Sequence, residues 1–250
     1  MIKKALNIEE QELTDVIFSD LVENPWHAFE IDASNMKYEF AKGSMFNITL
    51  TKKYDVGFSN WGLQWTTLED KDRAKMKDAI WVQDCENNAL KHKVALNAAI
   101  DFSNFLELRH AELNENGLLV LTVPTQGCIG QNILNEAKRE LIQEEKDEAK
   151  KVSLNKTLTM NEYCPTEKEI LTILSRHEHI WRTICVEERD IPCCYVDRPQ
   201  EGVEMFKSYC NFRFEEKSYE KRFWEIANRL SGNYISSELS VAILILKKVE

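Results

Sequence analysis

The stretch DVGFSNWGLQWTT, residues 55–67, sets Trp61 and Trp65 four apart directly behind a short apolar run, with Gln64 beside the second ring. An indole carries an N–H donor on a flat apolar body, and a side-chain amide both donates and accepts. Such residues can grip a ligand that is part apolar and part polar. Asp20, the acid that ends the β-rich run VIFSDL, is a second candidate. Packing competes with this reading. Large apolar residues mostly serve cores, and two rings at i and i+4 would also plug a strand–helix junction.

The elements around these residues decide where they stand. VIFSDL (16–21) and KYDVGFSN (53–60) read as strands. Residues 89–113 bring Ala98, Phe102, Phe105, Leu106 and Leu113 to one face of a helix, which NENG ends, with Gly117 at a left-handed C-terminal position. LLVLTV is a buried strand. Residues 131–151 read as a charged amphipathic helix with a solvated face. TEKEILTILSR is a helix whose Thr166 and Glu169 have capping-box spacing. EKRFWEIANRL is a further helix, SELSVAILILKK closes the chain as a strand, and Ile191 to Phe206 reads as irregular connection. Strands alternating with helices predict an α/β fold with a largely parallel sheet. Ligands of open α/β sheets sit beyond the carboxyl ends of the strands, so Asp20 and residues 59–65 would line one crevice.

Composition narrows the partners. At 250 residues, 43% hydrophobic and 30% charged, the chain can bury a core without staples. A net charge of −10 disfavours a nucleic-acid backbone. The longest apolar run, VAILIL, is far short of a membrane span, and MIKKALNIEEQELTD has no apolar signal core. Seven cysteines at irregular spacing suit a reducing, cytoplasmic compartment. A small molecule or a protein is the expected partner, with no nucleic acid and no membrane.

Five stretches, in order, resemble the SABATH family of S-adenosylmethionine-dependent methyltransferases, which includes the salicylate, jasmonate and benzoate carboxyl methyltransferases. They are VIFSDLVENPWHAFE, KGSMFNITL, GFSNWGLQW, DFSNFLELRHAELNENGLLVLTV and NEYCPTEKEI, and they cover most of the chain from about residue 12 onward. The resemblance implies a Rossmann-like class I methyltransferase sheet with a helical cap, S-adenosyl-L-methionine as cofactor, and a small-molecule carboxylic acid as substrate, methylated on oxygen. It also allows a homodimer. It makes 1–250 one domain, with 12–125 and 215–250 as the core and 126–214 as cap and connections.

Roles follow from the resemblance by position. Asp20 and Leu21 match the pair that holds the adenosyl group, the carboxylate taking the ribose hydroxyls. Ser44 and Met45 match a Ser-Phe pair beside the adenine. Ser59, Asn60 and Trp61 match the segment bordering the methyl donor. Trp61, Gln64 and Trp65 match positions facing the acceptor, where a Trp ring N–H meets the substrate carboxylate and Gln64 adds an amide donor. A carboxylate is ionised at neutral pH and attacks the methyl group in line, so no catalytic base is named. Catalysis comes from positioning in a dry pocket.

Two departures from the family stand out. Its Gly-rich first strand, which lies between the strands ending at Asp20 and near Ser59, has no counterpart here, so the sheet is expected to be incomplete. Those two strands must pair directly, leave open edges or borrow a strand. The expectation is accordingly either an incomplete version of a longer enzyme or a non-catalytic binding or interaction protein. The family's ion-ligand positions fall near Met76, Lys156 and Thr159, none of them a carboxylate, so no metal is expected. His177 and His179, with the cysteines downstream, match no zinc spacing.

Overall fold

The computed structural model describes residues 15–20, 37–47, 50–66, 68–77, 79–125, 131–192, 203–204, 206–207, 210, 212–231 and 238–249. Strand β1 (Asp15–Asp20) pairs in parallel with β2 (Lys37–Lys42). A second sheet has the order β3-β4-β6-β5, from strands Tyr54–Asn60, Leu113–Pro124, Trp181–Pro192 (β5) and Glu238–Lys248 (β6). β3 and β4 are parallel, and β6 runs antiparallel to both β4 and β5. The expected α/β architecture is therefore present, with one reversed strand in a sheet otherwise of one direction. Among the described residues β1 and β3 do not pair with each other.

Among the described residues β5 is an edge strand, and its middle, RTICVEERD, is largely exposed and charged. Charge on an edge discourages pairing with other chains, and it also hides the alternation that marks a strand in sequence. The ladder of β5 with β6 is anchored at one end by Trp181, which is buried and donates its indole N–H to the Leu106 carbonyl at 3.2 Å. Residues 126–214 thus supply a strand of the main sheet as well as helices.

Helix α1 (Asp70–Arg73) is a single turn, and α2 (Asn88–Glu112) is long, capped by the Asn87 side chain accepting from Leu90 N–H. α2 buries Phe102, Phe105 and Leu106 against Leu119, Leu121 and Val123 of β4, with Ile170, Ile173 and Leu174 of helix α5 (Glu167–Arg176) closing the core. The end of α2 departs from the sequence expectation. The helix stops at Glu112 with Leu113 already extended, and NENG belongs to β4, where Asn116, at φ 62°, and not Gly117, is left-handed. Gly117 is required for another reason: a Cβ there would lie 2.9 Å from the Asn114 carbonyl oxygen and 3.2 Å from that of Asp55. Backbone approaches this close leave no room for a side chain.

The predicted helix 131–151 is two helices, α3 (Gln131–Glu144) and α4 (Glu148–Thr157). Glu145 accepts from the Lys146 and Asp147 N–H groups, and Asp147 then caps α4 by accepting from Ala149 and Lys150. Local carboxylates compete with the helix for its own N–H groups and break it. Nor is this helix solvated all along its charged face, because Lys138 is fully buried. α3, α4 and α6 (Lys217–Ser231) share a second core of Leu134, Leu141, Leu154, Phe223, Trp224 and Ile226 with Ile80 and Trp81. α5 starts with the predicted capping box, Thr166 and Glu169 each accepting from the other's end, and the Tyr163 hydroxyl adds a bond to Glu169 at 2.8 Å.

Candidate functional site

The candidate residues start at the carboxyl end of β3. Ser59 and Asn60 are its last residues, and Trp61 turns the chain with φ 57°. A left-handed tryptophan is unusual and costs about 1–2 kcal/mol. It is held by its N–H, which donates to the Thr122 carbonyl at 3.0 Å, and by the Thr122 hydroxyl, which donates to the Asn60 side chain next door. β3 and β4 thus fix the turn at the level where both strands end. Trp61 is 37% exposed.

Gly62 explains how a distant segment reaches this turn. A Cβ on Gly62 would lie 2.5 Å from Met45 Cε and 3.2 Å from Ser59 Oγ. The absent side chain is the space that Met45 fills. Ser44 starts a tight turn after β2, its carbonyl accepting from Asn47 and its hydroxyl from Phe46 N–H at 3.3 Å. Farther along, Leu50 N–H donates at 2.7 Å to Glu112, which pairs with Arg109 at 2.8 Å. Burial pushes the Glu112 carboxyl up against the pull of Leu50 and Arg109. That pair ties the chain after the Ser44 turn to the end of α2.

Asp20 ends β1, and the parallel register sets it opposite Lys42, two residues before Ser44. The backbone of Asp20 and the Ser44–Met45 turn therefore leave the same end of the β1–β2 pair. Leu21 lies outside the described residues. Ser44, Met45, Ser59, Asn60 and Trp61 are thus gathered around Gly62, with Asp20 at the same strand end as the Ser44 turn.

Gln64 and Trp65 are held by the 160–163 segment. Gln64 is fully buried, and its carbonyl accepts from Tyr163 N–H at 2.8 Å. Trp65 forms an antiparallel bridge with Glu162 and packs, half-buried, against the second core. Thr66 donates to Asp101 of α2 at 2.9 Å. The segment from Gly62 to Thr66 is thus a strap between the sheet and the helices, with no helix beginning at WGLQW, and the two rings do not share one junction.

Behind Trp65 stands a wall in which the sequence suggested Phe206 as an aromatic side but did not single out Trp81 or Glu162. Trp81 is buried and donates its indole N–H to Glu162 at 2.6 Å, with the Phe206 ring edge-on at 6.5 Å. Cys210 belongs to the same core, and burial, with the nearby Glu162 charge, pushes its thiol up. For Glu162 the one sequence signal was that it falls within NEYCPTEKEI. Trp81, in AIWVQD, has no motif around it. Of the three positions marked for an ion, the Met76 carbonyl and the Thr159 hydroxyl instead accept from Lys138 Nζ. His177 is buried, with Nδ1 2.8 Å from the Ile173 carbonyl, and its ring stacks on His179.

No family model matches the chain, and no curated protein is similar to it in sequence. Solved structures are similar in fold. A loganic acid methyltransferase with SAH superposes at a TM-score of 0.71 with 17% identity, over 94% of this chain and 74% of that one. The coclaurine N-methyltransferase bound to N-methylheliamine and SAH reaches 0.41 with 10% identity, over 86% of this chain and 53% of that one. The chain has a mixed α/β fold of the Rossmann-like methyltransferase kind.

Proposed function

We propose that the chain is a methyltransferase of SABATH type, using S-adenosyl-L-methionine to methylate the carboxylate of a small molecule. The observation that carries this reading is the packing of Met45 and Ser59 into the space over Gly62. It gathers two separate donor-side segments beyond the strand ends, where an α/β sheet of this kind takes its ligand. The fold shared with a methyltransferase crystallised with SAH supports the same reading.

The residues fit the donor. Asp20, leaving β1 level with the Ser44 turn, would accept the ribose hydroxyls, with Leu21 beside it. Ser44 and Met45 would cover the adenine, a thioether supplying apolar contact without ring stacking. Ser59, Asn60 and Trp61 would border the sulfonium end. When bound, the donor supplies an electrophilic methyl group. Trp61 would orient the acceptor together with Trp65 from the far end of the Gly62–Thr66 strap, while the sealed Gln64 would act by anchoring that strap through its main-chain bond to Tyr163. The acceptor carboxylate needs no base, so the chain's task is orientation and exclusion of water. The four described cysteines are free thiols, which suits a reducing, cytoplasmic setting. No described helix is long and apolar enough to cross a membrane.

The test is calorimetric titration of the chain with S-adenosylhomocysteine beside an Asp20→Ala variant. Micromolar binding that the variant loses is the expected result, followed by methyl-ester formation on a panel of small carboxylic acids. A folded chain that does not bind would overturn the reading in favour of a non-catalytic binding protein.

A further inference from the structure

Lys138 lies in the middle of α3 and is fully buried. Its ammonium is surrounded by five oxygens. The Met76 and Ala79 carbonyls, from the segment after α1, stand at 2.6 and 2.7 Å. The Leu158 and Asn155 carbonyls, at the end of α4, stand at 3.0 and 3.4 Å, and Thr159 Oγ1 at 3.2 Å. The Thr159 hydroxyl donates its own proton to the Asn155 carbonyl at 2.6 Å, so it offers the ammonium only lone pairs. An ammonium has three N–H bonds. Five converging oxygens exceed what those bonds can use and resemble the oxygen shell that replaces the water around a bare cation. Two of them are the last carbonyls of α4, which carry the negative end of that helix's dipole.

We propose that this cage is a monovalent-cation site whose cation the chain supplies itself, as the Lys138 ammonium. The tethered cation clamps α3 and the end of α4 to residues 76–84. Asn135, one helical turn before Lys138, completes the grip: it accepts from Ile80 N–H at 2.7 Å and donates to Asp84 at 2.8 Å. Trp81 sits inside the clamped segment, and its indole reaches Glu162, the bridge partner of Trp65. The clamp therefore sets the wall behind Trp65, whatever reaction the site performs.

Lys138→Met isolates the charge, because methionine keeps an unbranched apolar stem of similar length and removes the ammonium. Thermal unfolding is followed in ammonium, potassium and tetramethylammonium chloride at equal concentration. In tetramethylammonium chloride the variant should unfold roughly 5–10 °C below the native chain, scaled from the size of the domain. Ammonium or potassium should restore at least half of that loss by mass action, with the native chain indifferent to the choice. Equal stability of the two proteins, or equal action of the three salts, overturns the proposal. Should the variant fail to fold, the native chain labelled with 15N-lysine decides. One slowly exchanging ε-ammonium resonance, shifted by Thr159→Val, is expected, and the absence of any protected ammonium signal overturns the cage.

Discussion

The residue on which the site turns is Gly62, the smallest in its neighbourhood. Its space is taken by Met45 Cε and bordered by Ser59 Oγ, so one missing side chain joins segments seventeen positions apart in sequence. The substitution Gly62→Ala should separate structure from binding. The methionine is flexible at its end and can swing away, so the stability loss should stay near the lower end of overpacking costs, about 1 kcal/mol. The displaced Met45 then no longer packs over the turn, and affinity for S-adenosylhomocysteine should fall several-fold. Urea unfolding and calorimetry on the same protein check both halves. A large stability loss with unchanged affinity would mean that Met45 serves the core alone.

Elements set the second scale, and the break between α3 and α4 is the clearest case. Glu145 binds the Asp147 N–H, the Tyr219 hydroxyl and the Lys146 N–H, which together lower its carboxyl from 4.5 to about 2, the Asp147 bond contributing most. A carboxylate with a lowered folded-state pKa stabilises the protein above its unfolded value and loses that contribution as pH falls towards the folded value. For Glu145 the window runs from 4.5 down to about 2. In Glu145→Gln the urea midpoint should fall less steeply across that window than in the native chain. Parallel acid limbs would show that water already screens this exposed group. The charge run EAKRELIQEEKDEAKK gave no hint of the break, because its alternating signs suit an unbroken solvated helix equally well. The break depends on a hydroxyl from α6, some seventy residues downstream, and on two local N–H groups.

For the whole molecule, the notable feature is that β1–β2 and β3-β4-β6-β5 are separate sheets among the described residues, although Asp20 and Ser59 end strands of the two. A ligand that touches both carboxyl ends would join the two sheets. Saturating S-adenosylhomocysteine, at one hundred times its dissociation constant, should stabilise the native state by about 2.7 kcal/mol. In a chain of this size that is a rise of roughly 5–10 °C in the unfolding midpoint. Differential scanning calorimetry with and without the ligand checks it, and a midpoint that does not move would count against a site spanning the two sheets.

Much of this architecture was legible without coordinates. The apolar periodicity of α2, the apolar run LLVLTV and the Thr166–Glu169 capping box are local patterns, and each produced the element it predicts. The order of strands and helices was enough for an α/β fold, and the positions of Asp20 and Ser59–Trp61 at strand ends followed from the same patterns. Tertiary structure decided the rest. Whether Trp61 stays half-open while Gln64 is sealed depends on the 160–163 segment, a hundred residues away. The glycine that admits Met45, the Trp81–Glu162 wall and the oxygens around Lys138 are all meetings of groups far apart in the chain. Periodicity reports which face of an element is buried, because burial repeats with the backbone's own geometry. It cannot report which partner that face meets, because close packing between distant segments has no period to read.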